Sequence, residues 1–178
     1  MSATLSIRPA GWRDLSAIAE IYSAAVRYGT ATFELDPPDE SEMTGRYQAL
    51  RSGGYPFLVA ELGGLLAGYA YAGPYRARPA YKWTVEDSIY VRPGSHRQGI
   101  GRALLAELIA FSEAGGYRQM IAIIGDSANA ASIELHRAAG FRMVGTFDNV
   151  GFKLGRWLDS VLMQRPLGSG ATTPPDRF

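Results

Sequence analysis

The stretch that most constrains this chain is Val91-Arg-Pro-Gly-Ser-His-Arg-Gln-Gly-Ile-Gly-Arg-Ala-Leu-Leu105. A β-branched and aromatic run, Thr84 to Val91, leads into it, and an apolar-periodic run, Ile100 to Phe111, leads out. The pattern predicts strand, glycine-bearing loop, then helix. Gly99 and Gly101 carry no Cβ, so a ligand can approach their backbone closely. The first N–H groups of the following helix lack partners within it and lie at the positive end of its dipole. A loop built this way suits an anion, most often a phosphate.

Two common phosphate loops do not fit. A P-loop needs G-x-x-x-x-G-K-S/T, and Gly94 and Gly99 have that spacing, but Ile100 and Gly101 stand where Lys and Ser or Thr belong. A dinucleotide fingerprint needs G-x-G-x-x-G, and Leu104 replaces its third glycine. An ordinary glycine-rich turn before a helix also accounts for the loop taken alone.

With 178 residues, 47% hydrophobic and 20% charged, the chain reads as one globular domain with a real core. A net charge of +1 implies neither a nucleic-acid nor a membrane partner. There is no cysteine, which excludes disulfides, thiolate metal sites and an acyl-cysteine intermediate. His96 and His136 are the only histidines, so no metal site is expected. No long apolar segment marks a signal peptide or a membrane span. A cytoplasmic enzyme or binding domain is the expectation.

Leu5 to Arg8 predicts a short strand. Asp14 is a candidate cap for a helix whose buried stripe is Leu15, Ile18, Ala19, Tyr22, Ala25 and Val26. Asp39 opens a second helix through about Arg51. Phe57 to Glu61 and Leu65 to Ala72, joined by Leu62-Gly63-Gly64, signal a hairpin. A loop from Pro74 to Lys82 precedes the central strand. Gln119 to Ile124 predicts a buried strand, and Asn129 or Ser132 starts a helix through Ala139. Phe141 to Phe147 and Leu158 to Gln164 predict the final strands. The fold class is α/β (α+β), a mixed sheet with helices on both faces. Residues 168–178, rich in Thr, Pro and charge, are expected to be a disordered tail after a domain of residues 1–167.

With these elements in place, the chain resembles the GNAT superfamily of N-acetyltransferases. That family's pyrophosphate loop is Gln/Arg-x-x-Gly-x-Gly/Ala. Here it reads His96-Arg-Gln-Gly99-Ile-Gly101, with His96 departing from the usual Gln or Arg. Asn129-Ala-Ala-Ser132 followed by Leu135-His-Arg-Ala-Ala-Gly140-Phe141 is similar to the second cofactor segment. The resemblance runs from about Ser6 to Leu167. Three blocks resemble the phosphinothricin and methionine sulfoximine/sulfone N-acetyltransferases. They are Thr84-Val-Glu86-Asp-Ser-Ile-Tyr90-Val91, Val150-Gly-Phe-Lys153-Leu-Gly-Arg-Trp157-Leu-Asp159 and Thr30-Ala-Thr-Phe33. The resemblance implies acetyl-CoA as co-substrate, a small amino acid as acceptor and, commonly, a homodimer.

Acetyl transfer to an amine requires that the amine lose a proton. Without cysteine, direct transfer in a ternary complex is favoured. Glu86 is the candidate base: period-2 counting groups it with Thr84, Ser88 and Tyr90 on one strand face, and burial raises a carboxyl's pKa toward a useful value. The resemblance points to the same residue. The alternative is a strand-end carboxylate paired with Arg76 or Arg78. Asp87, on the opposite face, reads as structural.

For the cofactor, Ile89, Tyr90 and Val91 offer backbone groups, as the resemblance implies. Arg97, Gln98, Gly99, Ile100, Gly101 and Arg102 form or flank the phosphate loop. Asn129 and Ser132 belong to the second segment, where Asn129 can bind cofactor, cap the helix, or both. The resemblance places His136 near the thiol end as an acid or positioning group. For the acceptor, Arg76 and Arg78 suit a carboxylate or phosphinate, Phe33, Tyr75, Tyr81 and Trp83 are candidate pocket walls, and Thr84 is a further substrate-binding candidate. Acetylation of a protein N-terminus or another amine, and a non-catalytic CoA-binding sensor, are the competing functions.

Overall fold

The computed structural model describes residues 4–175. Seven strands form one sheet in the order β1-β2-β3-β4-β5-β7-β6. The strands are β1 (Leu5–Pro9), β2 (Phe57–Leu62), β3 (Leu65–Pro74), β4 (Thr84–Val91), β5 (Gln119–Gly125), β6 (Arg142–Lys153) and β7 (Arg156–Pro166). Neighbours are antiparallel except β4 and β5, which run parallel. A parallel pair needs a crossover, and α3 (Ile100–Ala114) supplies it. The remaining helices are α1 (Leu15–Tyr28), α2 (Glu40–Ser52) and α4 (Ala130–Ala138).

Both faces of the sheet are covered. On one, Ile18, Ile21 and Tyr22 of α1 and Met43 and Tyr47 of α2 bury against Phe57, Val59 and Tyr69. On the other, Leu104, Leu105 and Leu108 of α3 bury against Val85, Met120, Ala122 and Met163, and Ile133 and Leu135 of α4 join them. Truncating one of these fully buried leucines to Ala costs about 2–5 kcal/mol.

Local chemistry sets most boundaries. Asp39 caps α2 by accepting from Glu42 N at 2.8 Å. Gly63 and Gly64, with φ of 59° and 84°, make the β2–β3 turn that L side chains resist. Asp14 differs from expectation. Its carboxylate accepts from Gly11 N and pairs with Arg8, so it makes no side-chain cap for α1. The final strands are longer than expected. β6 and β7 absorb the Val150–Asp159 block, with register shifts at Met143/Gly145 and Phe147/Gly151. Gly151, Asn149 and Asp148 read as loop residues in sequence, but such bulges admit them within a strand. After β7, the Arg118 guanidinium donates to Gly170 O and Pro174 O; residues 176–178 of the expected tail lie outside the described residues.

Candidate active site

The site begins where the sheet opens. β4 and β5 pair only from Thr84/Gln119 to Asp87/Ala122. β4 continues to Val91, and β5 to Gly125, without pairing to each other. The edge of Ser88–Val91 that faces β5 therefore has no strand partner. Clefts of this kind, at the carboxyl ends of parallel strands, are where open α/β sheets bind ligands. A cavity of about 340 Å³ fills the gap, with Glu86, Asp87, Ser88, Ile89, Tyr90, Asn129, Ser132, His136 and Phe33 in its lining.

The cleft extends toward α3. Ile89, Tyr90, Asn129 and Ser132 also line a second hollow, which reaches Val91, His96, Gly101 and Leu135. Those last four groups border a third hollow, between α3 and α4, that includes Arg97, Gly99, Ile100 and Arg102. Gly94, Arg97 and Gly99 all have positive φ, at 85°, 60° and 79°. For Arg97 that conformation costs about 1–3 kcal/mol, a strain typical of ligand loops. Gly99 provides no side-chain cap to α3, and among the described residues the first N–H groups of the helix, at positions that border the hollow, have no protein acceptor. An added Cβ on Gly101 would stand 3.4 Å from Leu135, an ordinary contact, so the glycine is not required by packing. These features fit a pyrophosphate on the loop and an amide-bearing arm laid along β4 as an added strand. Gln98 is exposed in the same loop but borders none of these hollows, and the Ile100 side chain is buried, leaving only its backbone for a ligand.

Glu86 is half-buried on the floor of the cleft, paired across the ladder with Gly73 and Ile121. No hydrogen bond or ion pair ties its carboxylate among the described residues. Burial first, then the charge of Asp87, push its pKa up to about 7, against an opposing pull from Arg76. Strand parity is as expected. Tyr90 packs with Tyr22 and Tyr69 on the α1 side, while Val85, Ile89 and Val91 pack on the α3 side.

Asp87 also points to the α3 side and is buried, where it meets His136 of α4. His136 Nε2 lies 2.9 Å from Asp87 Oδ2, and Nδ1 lies 2.7 Å from Ser132 O. Burial works against the imidazolium, but the Asp87 hydrogen bond and charge and the Ser132 carbonyl outweigh it and raise the pKa of His136. Asn129 Oδ1 accepts from Ser132 N at 3.2 Å, so Asn129 caps α4 at the rim of the cleft.

The acceptor candidates are not all brought together. Phe33 lines the cavity; Arg76, Arg78, Trp83 and Thr84 lie outside its lining. Arg76 is exposed, with its guanidinium 5.0 Å from the Tyr75 ring centroid. Arg78 is exposed and precedes a short turn at Pro79–Tyr81. Trp83 stacks under Lys82 Nζ at 4.9 Å, and its buried Nε1 has no acceptor.

Residues without an assigned role in the sequence hold Phe33 in place. Lys153 Nζ donates to Thr32 O at 2.7 Å, and Tyr22 Oη meets Thr32 Oγ1 at 3.0 Å. A Cβ on Gly125 would lie 2.1 Å from Thr30 O, and one on Gly151 2.5 Å from the Phe33 ring. These two glycines let the 30–33 loop sit on the ends of β5 and β6. They were the available signal, but a glycine in a strand does not say which segment approaches it.

Comparison with known proteins agrees with this geometry. The family model for the acetyltransferase (GNAT) domain matches residues 7–162. The chain belongs to the GNAT acetyltransferase family. It is 55% identical over 163 residues to a phosphinothricin N-acetyltransferase of Alcaligenes faecalis, a match covering 92% of this chain and 83% of that one. It is 40% identical over 167 residues to the L-methionine sulfoximine/L-methionine sulfone acetyltransferase of Salmonella typhimurium, covering 94% and 97%. The crystal structure of a phosphinothricin acetyltransferase from Sinorhizobium meliloti in complex with AcCoA superposes with a TM-score of 0.94 at 49% identity, covering 99% of this chain and 95% of that one.

Proposed function

We propose that this chain moves acetyl from acetyl-CoA to the α-amine of a small L-amino acid of the phosphinothricin and methionine sulfoximine/sulfone kind. The observation that carries the proposal is Glu86: an unpaired, half-buried carboxyl on the floor of a cleft that leads directly to the glycine loop. Bound acetyl-CoA supplies an activated thioester. Gly99, Gly101 and the free N–H groups of α3 hold its pyrophosphate, with Arg97 and Arg102 beside it. Ile89 to Val91 offer backbone groups to the pantetheine arm.

Glu86 takes a proton from the bound ammonium, directly or through one water. A pKa of about 7 lets it be ionised near neutral pH yet basic enough to accept that proton. Phe33 packs against the acceptor's side chain. Arg76 and Arg78, on the loop that leads into β4, attract its anionic groups. Among the described residues no cluster of three or more His, Cys, Asp or Glu is arranged to hold a metal.

The enzyme works as a homodimer. β6 is an edge strand, and the β6–β7 hairpin exposes Met143, Val144, Phe147, Val150, Phe152, Leu154 and Trp157. An apolar face of this kind on an edge strand is a liability unless it is covered, and a second copy is the simplest cover. Among the described residues no helix is long and apolar enough to cross a membrane. A cytoplasmic location suits an enzyme that consumes acetyl-CoA.

Thiol release with acetyl-CoA and a panel of acceptors tests the reading. Turnover with L-phosphinothricin or L-methionine sulfoximine, and at least tenfold lower kcat/KM with peptides, is expected. A preference for peptides, or CoA binding with no turnover on any amine, would overturn it.

A further inference from the structure

Asp87 follows Glu86 on β4 but faces the other way. The side chains of His136 and Asp87 are only 5% and 2% exposed. The tautomer of His136 follows from its partners. A carbonyl oxygen only accepts, so Nδ1, 2.7 Å from Ser132 O, carries a hydrogen. The Nε2–Oδ2 contact at 2.9 Å then holds either an imidazolium donating to a carboxylate or a neutral ring accepting from a carboxylic acid. In both cases each ring nitrogen is committed to a protein partner, Nδ1 to Ser132 O and Nε2 to Asp87, and neither is free to deliver a proton into the cleft. Asp87 Oδ1, also buried, accepts no hydrogen bond among the described residues.

We propose that Asp87 is a positioning residue for acetyl transfer: it holds His136 doubly protonated and fixed between β4 and α4, so that the imidazolium acts on the cleft as a stationary positive charge and not as a proton donor. This rests on the acetyl-transfer reading above. The thioester oxygen becomes negative as the amine adds, and a cation already fixed beside the cleft stabilises that charge without reorganising. The proton balance then needs no contribution from His136. The acceptor ammonium gives up two protons: one goes to Glu86. The other, released as the C–N bond forms, reaches the sulfur through solvent once the C–S bond has broken with its electron pair.

The surroundings of His136 leave the charge of the ring to one partner. From β4 it meets Asp87. From its own helix it meets the Ser132 carbonyl, with the Ser132 hydroxyl at 3.5 Å. From the chain after α4 it meets the Phe141 ring in a T-shaped arrangement, with centroids 5.1 Å apart. Glu134 and Arg137, also on α4, are exposed and pair with each other. Glu86 is the remaining nearby carboxyl and lies on the opposite face of β4. Asp87 thus bears on both groups, since its charge also helps hold the Glu86 pKa up.

The test is nitrogen-detected NMR of the imidazoles in the full-length protein, alongside kcat against pH. With two histidines in the chain, His96→Asn assigns the spectrum. In the wild type, both nitrogens of His136 should bear hydrogen at pH 7. In Asp87→Asn the ring should lose its extra proton at least tenfold more readily, a shift of one pH unit or more. The kcat of this variant relative to wild type should be about tenfold or more lower at pH 8, and the ratio should recover toward one as pH falls to 6. The acetyl-CoA KM should stay within about threefold, and Asp87→Glu should restore part of both signals. An equal kcat loss at every pH would make Asp87 merely structural and overturn the proposal. A wild-type His136 with a bare Nε2 at pH 7 would overturn it without any variant, should Asp87→Asn fail to fold. Absence of acetyl transfer by the wild type would be failure of the underlying reading, which is a separate result from the NMR.

Discussion

Replacing Glu86 by Gln should slow the enzyme and stabilise the fold at the same time. The slowing is that expected for loss of a general base, about 10²–10⁴-fold in kcat near neutral pH. The stabilisation can be worked from the carboxyl's surroundings. Burial and Asp87 raise its pKa from the ordinary 4.5 to about 7. A carboxyl with a raised folded pKa binds more protons folded than unfolded between those values, so stability falls as pH rises from 4.5 to 7 and is flat above. At 1.36 kcal/mol per pH unit, the upper bound on that loss is ~3 kcal/mol. Glu86 still faces the open cleft, and solvent screening reduces the figure to about 1–2 kcal/mol.

Glutamine, isosteric and neutral, has no such loss. The variant should therefore match the wild type at pH 4.5 and exceed it in Tm by roughly 2–8 °C at pH 9. Scanning calorimetry across pH 4.5 to 9, with kcat measured on the same preparations, reads both quantities. A Tm difference that does not grow with pH would refute the claim that Glu86 is held out of its ordinary range. A wild-type kcat in Glu86→Gln across pH 6 to 9 would refute its use as the base.

Gly101→Val should abolish CoA binding while leaving Tm within a few degrees, because its Cβ meets only ordinary contacts in the protein but intrudes on the phosphate loop. Calorimetric titration checks this, and unchanged affinity would remove the loop from the cofactor site. Arg76→Ala should raise KM for the amino acid. It should also shift the acid limb of kcat to higher pH, since Arg76 pulls the Glu86 pKa down. Arg78→Ala should raise KM without moving that limb, and a pH–rate series for both separates the two roles. Trp157→Asp, placing a charge on the exposed hairpin face, should convert a dimer to a monomer in sedimentation or light scattering; an unchanged dimer would put the interface elsewhere.

The features of this fold and site that are legible in sequence have local causes. The glycine loop before α3 has a composition that few other elements need. The parity of β4 follows from its period, so Glu86 and Asp87 were already known to face apart. What sequence reasoning lacked were contacts between distant segments. Asp87 and His136 lie 49 positions apart, and only the packing of α4 on β4 joins them. Sequence alone therefore could not pair Asp87 with His136. Lys153 reaches Thr32 across 121 positions, so its part in fixing the Phe33 loop left no local trace. The length of β6 and β7 was missed because Asn149, Gly151 and Gly155 signal turns, while the strand absorbs two of them in a bulge. Arg76 and Arg78 follow the same logic in reverse. They neighbour the central strand in sequence, yet the loop holds them outside the cavity lining.

Direct acetyl transfer from the cleft to an amino acid's α-nitrogen can be read in a single turnover with enzyme in excess over acetyl-CoA, quenched over time after L-phosphinothricin is added and followed by mass spectrometry of both protein and small molecules. One equivalent of α-N-acetylated amino acid should form, with no acetyl group on the protein at any time. Acetyl appearing first on the protein, or no acetylated amino acid from folded enzyme that binds CoA, would contradict the account.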